Sequence, residues 1–328
     1  PVSVAPGAHV HNAVVWDDTS FEVPSLYADS VFSGGRVSVP LEVSEEKRPD
    51  PRVWFWLGGK PEDARVEPLR SQGSGRRYYR IHAGGKVLVW CAYSHRQREN
   101  AAFTALSEFL ASLGVNVPGI CLHLCDAGEH VSTDLGDTSL QAISDPGVTE
   151  RILRETIRQI ARLHVLGDTA ARLRELPLQT GFTKGLYDWE RDYFREYVLS
   201  RLLNAPALWS PAAREYCGLR DLLLMEPPVP IHRDLQSANI MVLDGKPWLI
   251  DFQGMRLGSA AYDMGALLFD PYRGHPRQLR ERLWRFYRKR VILLGGSPPE
   301  DRILYAASVQ RLFQALGAYG KLWQDDGL

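Results

Sequence analysis

The stretch from Ile231 to Asp270 constrains the fold of this 328-residue chain more than any other. In it, His232-Arg233-Asp234-Leu235 is followed after three residues by Asn239, and Asp251 comes twelve residues later. The segment between Asn239 and Asp251 has two apolar runs separated by Asp-Gly, which is the signal of a tight β-hairpin. Such a hairpin returns the chain to its starting point, so the sequence predicts that Asn239 and Asp251 converge on one Mg²⁺ ion.

The pattern H-R-D-L-x-x-x-N is typical of the catalytic loop of kinases, where the Asp handles the acceptor hydroxyl and the Asn holds a metal. Asp251-Phe252-Gln253 stands where protein kinases have D-F-G. The alternative is an ordinary surface hairpin with polar ends, and five fixed residues in one loop argue against it. The stretch therefore predicts a phosphotransferase of kinase-like fold.

Composition limits the classes of partner and compartment. The chain is 45% hydrophobic and 24% charged, and its 39 Lys and Arg residues balance its 39 Asp and Glu residues, so no overall field favours nucleic acid or membrane. The four cysteines form no C-x-x-C motif, which argues against a disulfide framework or a zinc site. With no signal peptide and no membrane-length apolar run, we expect a cytoplasmic protein.

Residues 1–41 carry a repeat with a period of five to six residues. Its apolar positions are Val4, Val10, Val15, Phe21, Leu26, Phe32 and Val37. This spacing resembles the hexapeptide repeat of left-handed β-helices. The alternative is one or two β-hairpins, which should show a period of two. We interpret 1–41 as the end of a left-handed β-helix and, because two coils cannot bury a core alone, expect further coils upstream of Pro1.

Residues 42–64 are predicted to be a linker and a docking segment, because a charged, proline-containing stretch precedes the apolar run Val53–Leu57. Residues 65–133 read as a small lobe with strand, glycine loop, strand, turn and strand. The loop residues Gly73, Ser74 and Gly75 let backbone N–H groups approach phosphate oxygens, and Arg76 and Arg77 add charge there. A plain hairpin with glycine in its turn remains the alternative.

Two parts of the nucleotide site need separate assignment: the cation that binds the phosphates and the hinge that binds the adenine. The third strand carries Trp90 and Cys91 where protein kinases have a Lys that pairs with a helix Glu. Glu99 is the candidate helix Glu, and Lys86, Arg76 or Arg77 is the candidate partner. The stretch 130–137 is interpreted as the hinge between the lobes, with the backbone of Ser132, Thr133 and Asp134 binding the adenine.

Residues 134–328 are assigned to a large lobe with a helical substrate subdomain. Helices are predicted over 149–166 and 186–203. The second is rich in aromatic and acidic residues, a composition that suits sugar hydroxyls. Its candidate substrate residues are Asp188, Glu190, Arg191 and Asp192. An ordinary amphipathic helix is the alternative.

Several short segments together resemble the aminoglycoside phosphotransferase family. They are Gly-Ser-Gly-Arg-Arg-Tyr-Tyr-Arg-Ile at 73–81, Asp-Leu-Gly-Asp at 134–137, His-Arg-Asp-Leu-Gln-Ser-Ala-Asn at 232–239, Ile-Asp-Phe-Gln at 250–253 and Tyr-Asp-Met-Gly at 262–265. The likeness covers residues 65–328 and is strongest to the bacterial N-acetylmuramate/N-acetylglucosamine anomeric kinases.

The resemblance implies an α+β, two-lobed, protein-kinase-like fold that uses ATP and Mg²⁺. Asp234 would be the catalytic base and Asn239 and Asp251 the Mg²⁺ ligands. His232 and Asp263 would have structural roles at the catalytic loop. The missing third-strand Lys departs from the antibiotic kinases and leaves their phosphate clamp without a direct counterpart.

The acceptor is expected to be a small molecule. Only eleven residues separate Asp251 from Asp263, which leaves no room for the activation segment that protein kinases need. The resemblance favours phosphorylation of the anomeric hydroxyl of an N-acetylated amino sugar. An aminoglycoside or choline kinase is the first alternative, and an inactive pseudokinase scaffold is the second.

The two ends of the chain resemble enzymes that catalyse consecutive reactions on one sugar. Hexapeptide β-helices resemble the C-terminal domains of sugar-phosphate nucleotidyltransferases, which consume sugar 1-phosphates. Tethering a kinase to such an enzyme raises the local concentration of the shared intermediate. We therefore expect a nucleotidyltransferase domain upstream on the same polypeptide.

Overall fold

The computed structural model describes residues 48–69, 76–94, 98–173 and 175–326, together with the backbone of seven short strands before residue 41. The chain divides into two compact units, Pro1–Pro49 and Asp50–Leu328. Among the described residues, no helix has the length and apolar character needed to cross a lipid bilayer.

The first unit contains short strands that pair mostly in parallel. They are β1 (Ser3–Val4), β2 (His9–His11), β3 (Val14–Val15), β4 (Ser20–Phe21), β5 (Leu26–Ala28), β6 (Ser30–Ser33) and β7 (Arg36–Pro40). Ser3 pairs with Ser20, His9 with Leu26 and Val14 with Val31, an offset of 17 residues each time. Only β6 and β7 pair antiparallel among these strands. The constant offset means that the backbone repeats with one period along β1–β6.

The second unit begins with a helix docked on a sheet. Helix α1 (Pro51–Leu57) starts where the Asp50 side chain accepts a hydrogen bond from the Arg52 N–H, with Pro51 in the first turn. It ends at Gly58, whose φ of 67° suits glycine. Its inward side chains pack with Trp90 and other apolar residues of the sheet. The predicted docking segment is therefore a short helix on the small lobe.

The small-lobe sheet is antiparallel and has five strands in the order β11-β12-β10-β9-β8. Their bounds are β8 (Arg65–Pro68), β9 (Arg77–Ala83), β10 (Lys86–Ala92), β11 (Ile120–Leu124) and β12 (Glu129–Thr133). Between β10 and β11, a 3₁₀ turn at Arg98–Ala102 leads into α2 (Phe103–Ser112). Leu106, Phe109 and Leu110 of α2 are buried in the main core with large-lobe residues, so α2 ties the two lobes together.

The large lobe is mainly helical. Its helices are α3 (Pro146–Leu173), α4 (Lys184–Phe194), α5 (Ala213–Met225), α6 (Ala260–Leu268), α7 (Arg277–Leu293) and α8 (Asp301–Asp326). Its short strands are β13 (Val229–Ile231), β14 (Ile240–Leu243), β15 (Lys246–Leu249) and β16 (Arg256–Gly258). A π-helical segment, Arg195–Leu202, continues α4. The helices predicted over 149–166 and 186–203 correspond to part of α3 and to α4 with its π-helical continuation.

The hairpin predicted between Asn239 and Asp251 is present. Strands β14 and β15 pair antiparallel from Ile240 with Leu249 to Leu243 with Lys246. Its two turn residues, Asp244 and Gly245, have φ values of 51° and 69°, which asparagine, aspartate and glycine tolerate best. The hairpin returns the chain from Asn239 to Asp251.

Candidate active site

The catalytic loop follows β13 and is held by a carboxylate of α6. Asp263 is fully buried and accepts the backbone N–H groups of His232 and Arg233, each at 2.7 Å. His164 Nε2 lies 3.1 Å from the same carboxylate, and its Nδ1 lies 2.8 Å from the hydroxyl of Tyr287. The two N–H bonds fix the backbone of the loop just before Asp234, where Arg233 has a φ of 78°.

A second carboxylate, just beyond the C-terminal end of α6, also holds this loop. Asp270, 1% exposed, accepts the Ser237 N–H at 2.6 Å and the Tyr272 N–H at 2.9 Å. The sequence analysis assigned Asp270 no role. No motif marks it, because Asp270 lies two residues beyond the last residue of α6 and its approach to the loop depends on how the chain leaves that helix.

Asn239 and Asp251 lie side by side at the base of the hairpin. The Ile250 N–H donates to the Asn239 carbonyl at 3.0 Å, and Asn239 Nδ2 donates to the Asp234 carbonyl at 2.9 Å. Asp251 has a φ of 64°, a left-handed conformation in which it sits between β15 and the following 3₁₀ turn. Gln253 Nε2 donates to Asp251 Oδ1. The hydrogen bond from the Asn239 side chain to the Asp234 carbonyl therefore connects one candidate metal ligand directly to the candidate base.

The donor set at this position fits Mg²⁺. Mg²⁺ prefers oxygen ligands and usually takes one or two from protein, with phosphate oxygens and water completing its shell. The Asp251 carboxylate and the Asn239 amide oxygen supply such ligands. Among the described residues no group of three His, Cys, Asp or Glu side chains could hold a metal, so an all-protein cage is not present in that part of the chain.

Of the three candidate cations, Arg76, just before β9, contacts both Glu99 and Asp251. It is 3% exposed, its Nη1 donates to Asp251 Oδ1 at 3.2 Å, and its Nε donates to Asn100 at 2.7 Å. Its Nη2 is paired with Glu99, the predicted helix Glu. A buried guanidinium thus joins the helix carboxylate to the candidate metal ligand.

The other two candidate cations lie elsewhere. The ammonium group of Lys86 stands 5.5 Å from the centre of the Trp56 ring, on the face of the sheet that carries α1. Arg77 begins β9 with an exposed side chain. The glycine-loop residues Gly73, Ser74 and Gly75 lie outside the described residues.

At the hinge, the side chain of Asp134 is bound by the small lobe. Arg80 of β9 donates to both oxygens of Asp134, at 2.7 and 3.1 Å, and to Asp137 at 2.9 Å. Ser132 and Thr133 lie inside the sheet, with ladder partners on both sides. The backbone that leaves the sheet therefore begins at Asp134.

The four candidate substrate residues of α4 do not share one environment. Asp188 lies in an ion-pair network with Lys184 at 2.7 Å, Arg220 at 2.9 Å and Arg191 at 3.1 Å. Arg191 also pairs with Asp192 at 2.7 Å. These three candidates bind one another and neighbouring arginines.

Glu190 is instead fully buried beneath the catalytic loop. It accepts the Tyr262 hydroxyl at 3.1 Å and Gln310 Nε2 at 2.9 Å. Burial raises the pKa of the Glu190 carboxyl, although these hydrogen bonds and the nearby Arg233 and Arg311 oppose the rise. Glu190 is therefore the one predicted substrate residue that faces the interior under Asp234.

The candidate base is surrounded by positive charge. Arg311 Nη2 lies 3.2 Å from Asp234 Oδ1, and Arg233 Nη1 lies 3.7 Å from Asp234 Oδ2. Burial alone would raise the pKa of Asp234, but the charges of Arg233 and Arg311 outweigh it and lower the pKa. Asp234 is thus held as a carboxylate, the form that can accept a proton. The sequence analysis missed Arg311, because no local motif marks it and it lies 77 residues further along the chain.

Comparison with known proteins identifies the family. The model of the phosphotransferase enzyme family matches residues 65–300. The chain belongs to the phosphotransferase enzyme family. It is a phosphotransferase that uses a hydroxyl group as acceptor.

Two related enzymes share one name. The phosphotransferase is 26% identical over 278 residues to the N-acetylmuramate/N-acetylglucosamine kinase of Pseudomonas aeruginosa, covering 82% of this chain and 80% of that protein. It is 26% identical over 267 residues to the enzyme of that name from Neisseria meningitidis serogroup B, covering 77% of each.

Solved structures share the fold of the phosphotransferase at low identity. The choline kinase LicA from Streptococcus pneumoniae matches with a TM-score of 0.60 and 15% identity, over 83% of this chain and 89% of that chain. An aminoglycoside-3'-phosphotransferase of type VIII matches with a TM-score of 0.57 and 15% identity, over 76% and 94%. The two-lobed kinase-like fold predicted from the sequence is confirmed, whereas the preceding β-helix stays a prediction.

Proposed function

We propose that the unit Asp50–Leu328 transfers the γ-phosphoryl group of ATP to the anomeric hydroxyl of an N-acetylated amino sugar. The observation that carries this proposal is the hydrogen bond from Asn239 to the Asp234 carbonyl, which holds the candidate base beside the candidate cation site. Phosphoryl transfer depends on such positioning of acceptor and phosphate. The choice of sugar is supported by the names of the relatives from Pseudomonas aeruginosa and Neisseria meningitidis.

The roles of the residues follow from their positions. Asp234 orients the acceptor hydroxyl and accepts its proton, while Asn239 and Asp251 hold Mg²⁺. When bound, Mg²⁺ neutralises charge on the phosphate oxygens. Arg76, kept in place by Glu99, clamps the phosphates, and the hinge backbone from Asp134 onward contacts the adenine.

The acceptor side is proposed to lie above the catalytic loop, where α4 and α8 meet. Glu190 contributes from beneath through its bonds to Tyr262 and Gln310. Asp188, Arg191 and Asp192 line the outer face of α4, where their ion-pair network offers polar groups to a sugar. Specificity then depends on Asp188, Arg191 and Asp192, while the buried Glu190 acts only through Tyr262 and Gln310.

The alternatives concern the acceptor and the activity. The fold is shared with choline and aminoglycoside kinases, so these acceptors belong in the same assay. The presence of Asp234, Asn239 and Asp251 in the chain argues against an inactive scaffold.

A panel of free sugars, choline and aminoglycosides with Mg·ATP, followed by ³¹P NMR of the product, tests the proposal. We expect a sugar 1-phosphate from an N-acetylated amino sugar. A phosphate on a 6-hydroxyl, or activity only on aminoglycosides, would replace the proposed acceptor. Absence of any magnesium-dependent turnover would support the scaffold alternative.

We propose further that residues 1–41 form coils of a left-handed β-helix that belongs to an upstream nucleotidyltransferase. The constant offset of 17 residues between parallel strands supports a coil of about three hexads. An antibody raised against the kinase unit tests the proposal in cell extract. A band well above 37.0 kDa is expected, and a band at 37.0 kDa would contradict it.

A further inference from the structure

Helix α8 places a buried arginine side chain against the catalytic loop. Arg311 is 7% exposed, and its Nη2 lies 3.2 Å from Asp234 Oδ1 and 3.3 Å from Gln236 Oε1. Its Nη1 donates to Gln314 one turn further along α8. The guanidinium therefore joins two residues of the catalytic loop to one helix.

Arg311 and Arg233 take different oxygens of the catalytic carboxylate. Arg311 is within ion-pair distance of Oδ1, whereas Arg233 is 3.7 Å from Oδ2. A carboxylate held at one oxygen cannot rotate freely about its terminal torsion, which is otherwise broad. The closer contact at Oδ1 leaves Oδ2 as the oxygen to meet an acceptor.

The position of α8 is fixed by contacts of the residues just before Arg311. A Cβ at Gly265 of α6 would come within 3.0 Å of Ser308 backbone atoms, so the two helices touch there. Beside Arg311, Gln310 donates to the Tyr187 carbonyl at 3.2 Å and to Glu190 at 2.9 Å. The same helix α6 carries Asp263, so α6, α8 and the catalytic loop share one set of contacts.

We propose that Arg311 is a positioning residue that orients the Asp234 carboxylate toward the acceptor hydroxyl. The proposal rests on the proposed function of Asp234. It makes the C-terminal helix part of the catalytic machinery, although α8 itself follows the matched family region, which ends at residue 300.

Steady-state kinetics of Arg311→Met, Arg311→Lys and the control Arg302→Met test this proposal. Arg302 lies on the same helix, is 65% exposed and forms an ion pair with the exposed Glu300. Arg311→Met should lower kcat by about 100-fold, because misplacing a reacting group by about 1 Å has an effect of that size. The KM for ATP and the Kd for ADP should change less than about twofold, since the partners of Arg311 described above are Asp234, Gln236 and Gln314.

The lysine variant separates positioning from packing. Lys keeps the charge near Asp234 but lacks the planar fork, so Arg311→Lys should recover part of the lost kcat. If Arg311→Met does not fold, Arg311→Lys against Arg311→Gln gives the same comparison. A kcat for the uncharged variant within about twofold of wild type, or no difference between Lys and the uncharged residue, would overturn the proposal.

The same assay distinguishes this proposal from the proposed function. If wild type phosphorylates an acceptor other than an amino sugar, the proposed acceptor is wrong. The Arg311 variants are then compared with that other acceptor. If wild type is active and Arg311→Met is equally active, only the positioning role fails. If wild type transfers phosphate to no acceptor, both fail.

Discussion

Asp234 is expected to govern the chemical step and not nucleotide binding. Asp234→Asn should lower kcat by about 10² to 10⁴, the usual contribution of a general base. The Kd for ADP, measured by calorimetry, should stay close to wild type, because Asn239 bonds the Asp234 backbone and not its side chain. Asp244→Asn in the turn of the same hairpin is the control, since asparagine tolerates its positive φ. Full turnover of Asp234→Asn would show that the role is wrong.

Arg76 should govern nucleotide affinity. Arg76→Ala removes a charge that bonds Asp251 and Glu99, and we expect the KM for ATP to rise by about ten- to hundredfold, as for loss of a charge-assisted hydrogen bond. Arg76→Lys should lie in between. Arg65→Ala, 77% exposed on β8, is the matched control. An unchanged KM in Arg76→Ala would contradict the clamp role of Arg76 and favour Arg77 or Lys86.

The residues of the candidate site differ in how well the sequence predicts their positions. Asp234, Asn239 and Asp251 were predictable because a motif with fixed spacing and a hairpin between its parts determine their convergence. The choice of Arg76 among three cations depended on which side of the sheet each one reaches. Arg311 had no such signal, since its approach to Asp234 depends on the packing of α8 against α6.

At the level of elements, helical periodicity explains why the four residues of α4 separate. Successive residues of an α-helix are rotated by about 100°, so Glu190 is about 160° from Asp188 around the axis, whereas Arg191 and Asp192 are within about 60°. Asp188, Arg191 and Asp192 accordingly share one ion-pair network while Glu190 faces the interior. The sequence alone predicts that these residues lie on two sides of the helix. It does not predict which of the two sides is buried.

The contact between α6 and α8 gives a stability prediction. Gly265→Ala would place a Cβ within 3.0 Å of Ser308 backbone atoms, and such overpacking should lower the free energy of unfolding by about 1–3 kcal/mol. Gly218→Ala in α5 is the matched control, because its Cβ would meet nothing within 4 Å. That change should raise the free energy of unfolding by about 0.5–1 kcal/mol. Urea unfolding measures both, and equal effects would contradict the close contact.

At the level of the whole molecule, one buried histidine should make the fold acid-sensitive. His130 is 3% exposed and its ring centre is 4.3 Å from that of Phe103. Burial is the largest cause that lowers the pKa of His130 to about 3, with His123 and Arg76 adding to it. The unfolded chain binds this proton below about pH 6.5 and the folded chain does not. Stability is therefore full above pH 6.5 and falls as the pH drops toward 3.

His130→Phe should remove this part of the pH dependence. Between pH 7 and 5, wild type should lose about 2 kcal/mol more free energy of unfolding than the variant, from about 1.4 kcal/mol per pH unit below 6.5. Urea unfolding at both pH values gives the difference. Between pH 7 and 8 the two proteins should have parallel profiles as an internal control. A wild-type profile parallel to that of the variant down to pH 5 would contradict a neutral buried His130.

The ion pair between Arg76 and Asp251 also affects whether Mg²⁺ binds before the nucleotide or together with it. The Arg76 guanidinium stands 3.2 Å from the Asp251 carboxylate, which is proposed to hold the divalent ion. Like charges repel, so Mg²⁺ alone should bind poorly, as a titration with Mn²⁺ followed by electron paramagnetic resonance would show. Triphosphate oxygens offer Arg76 another partner and release Asp251. Uptake of the ion should therefore coincide with uptake of the nucleotide.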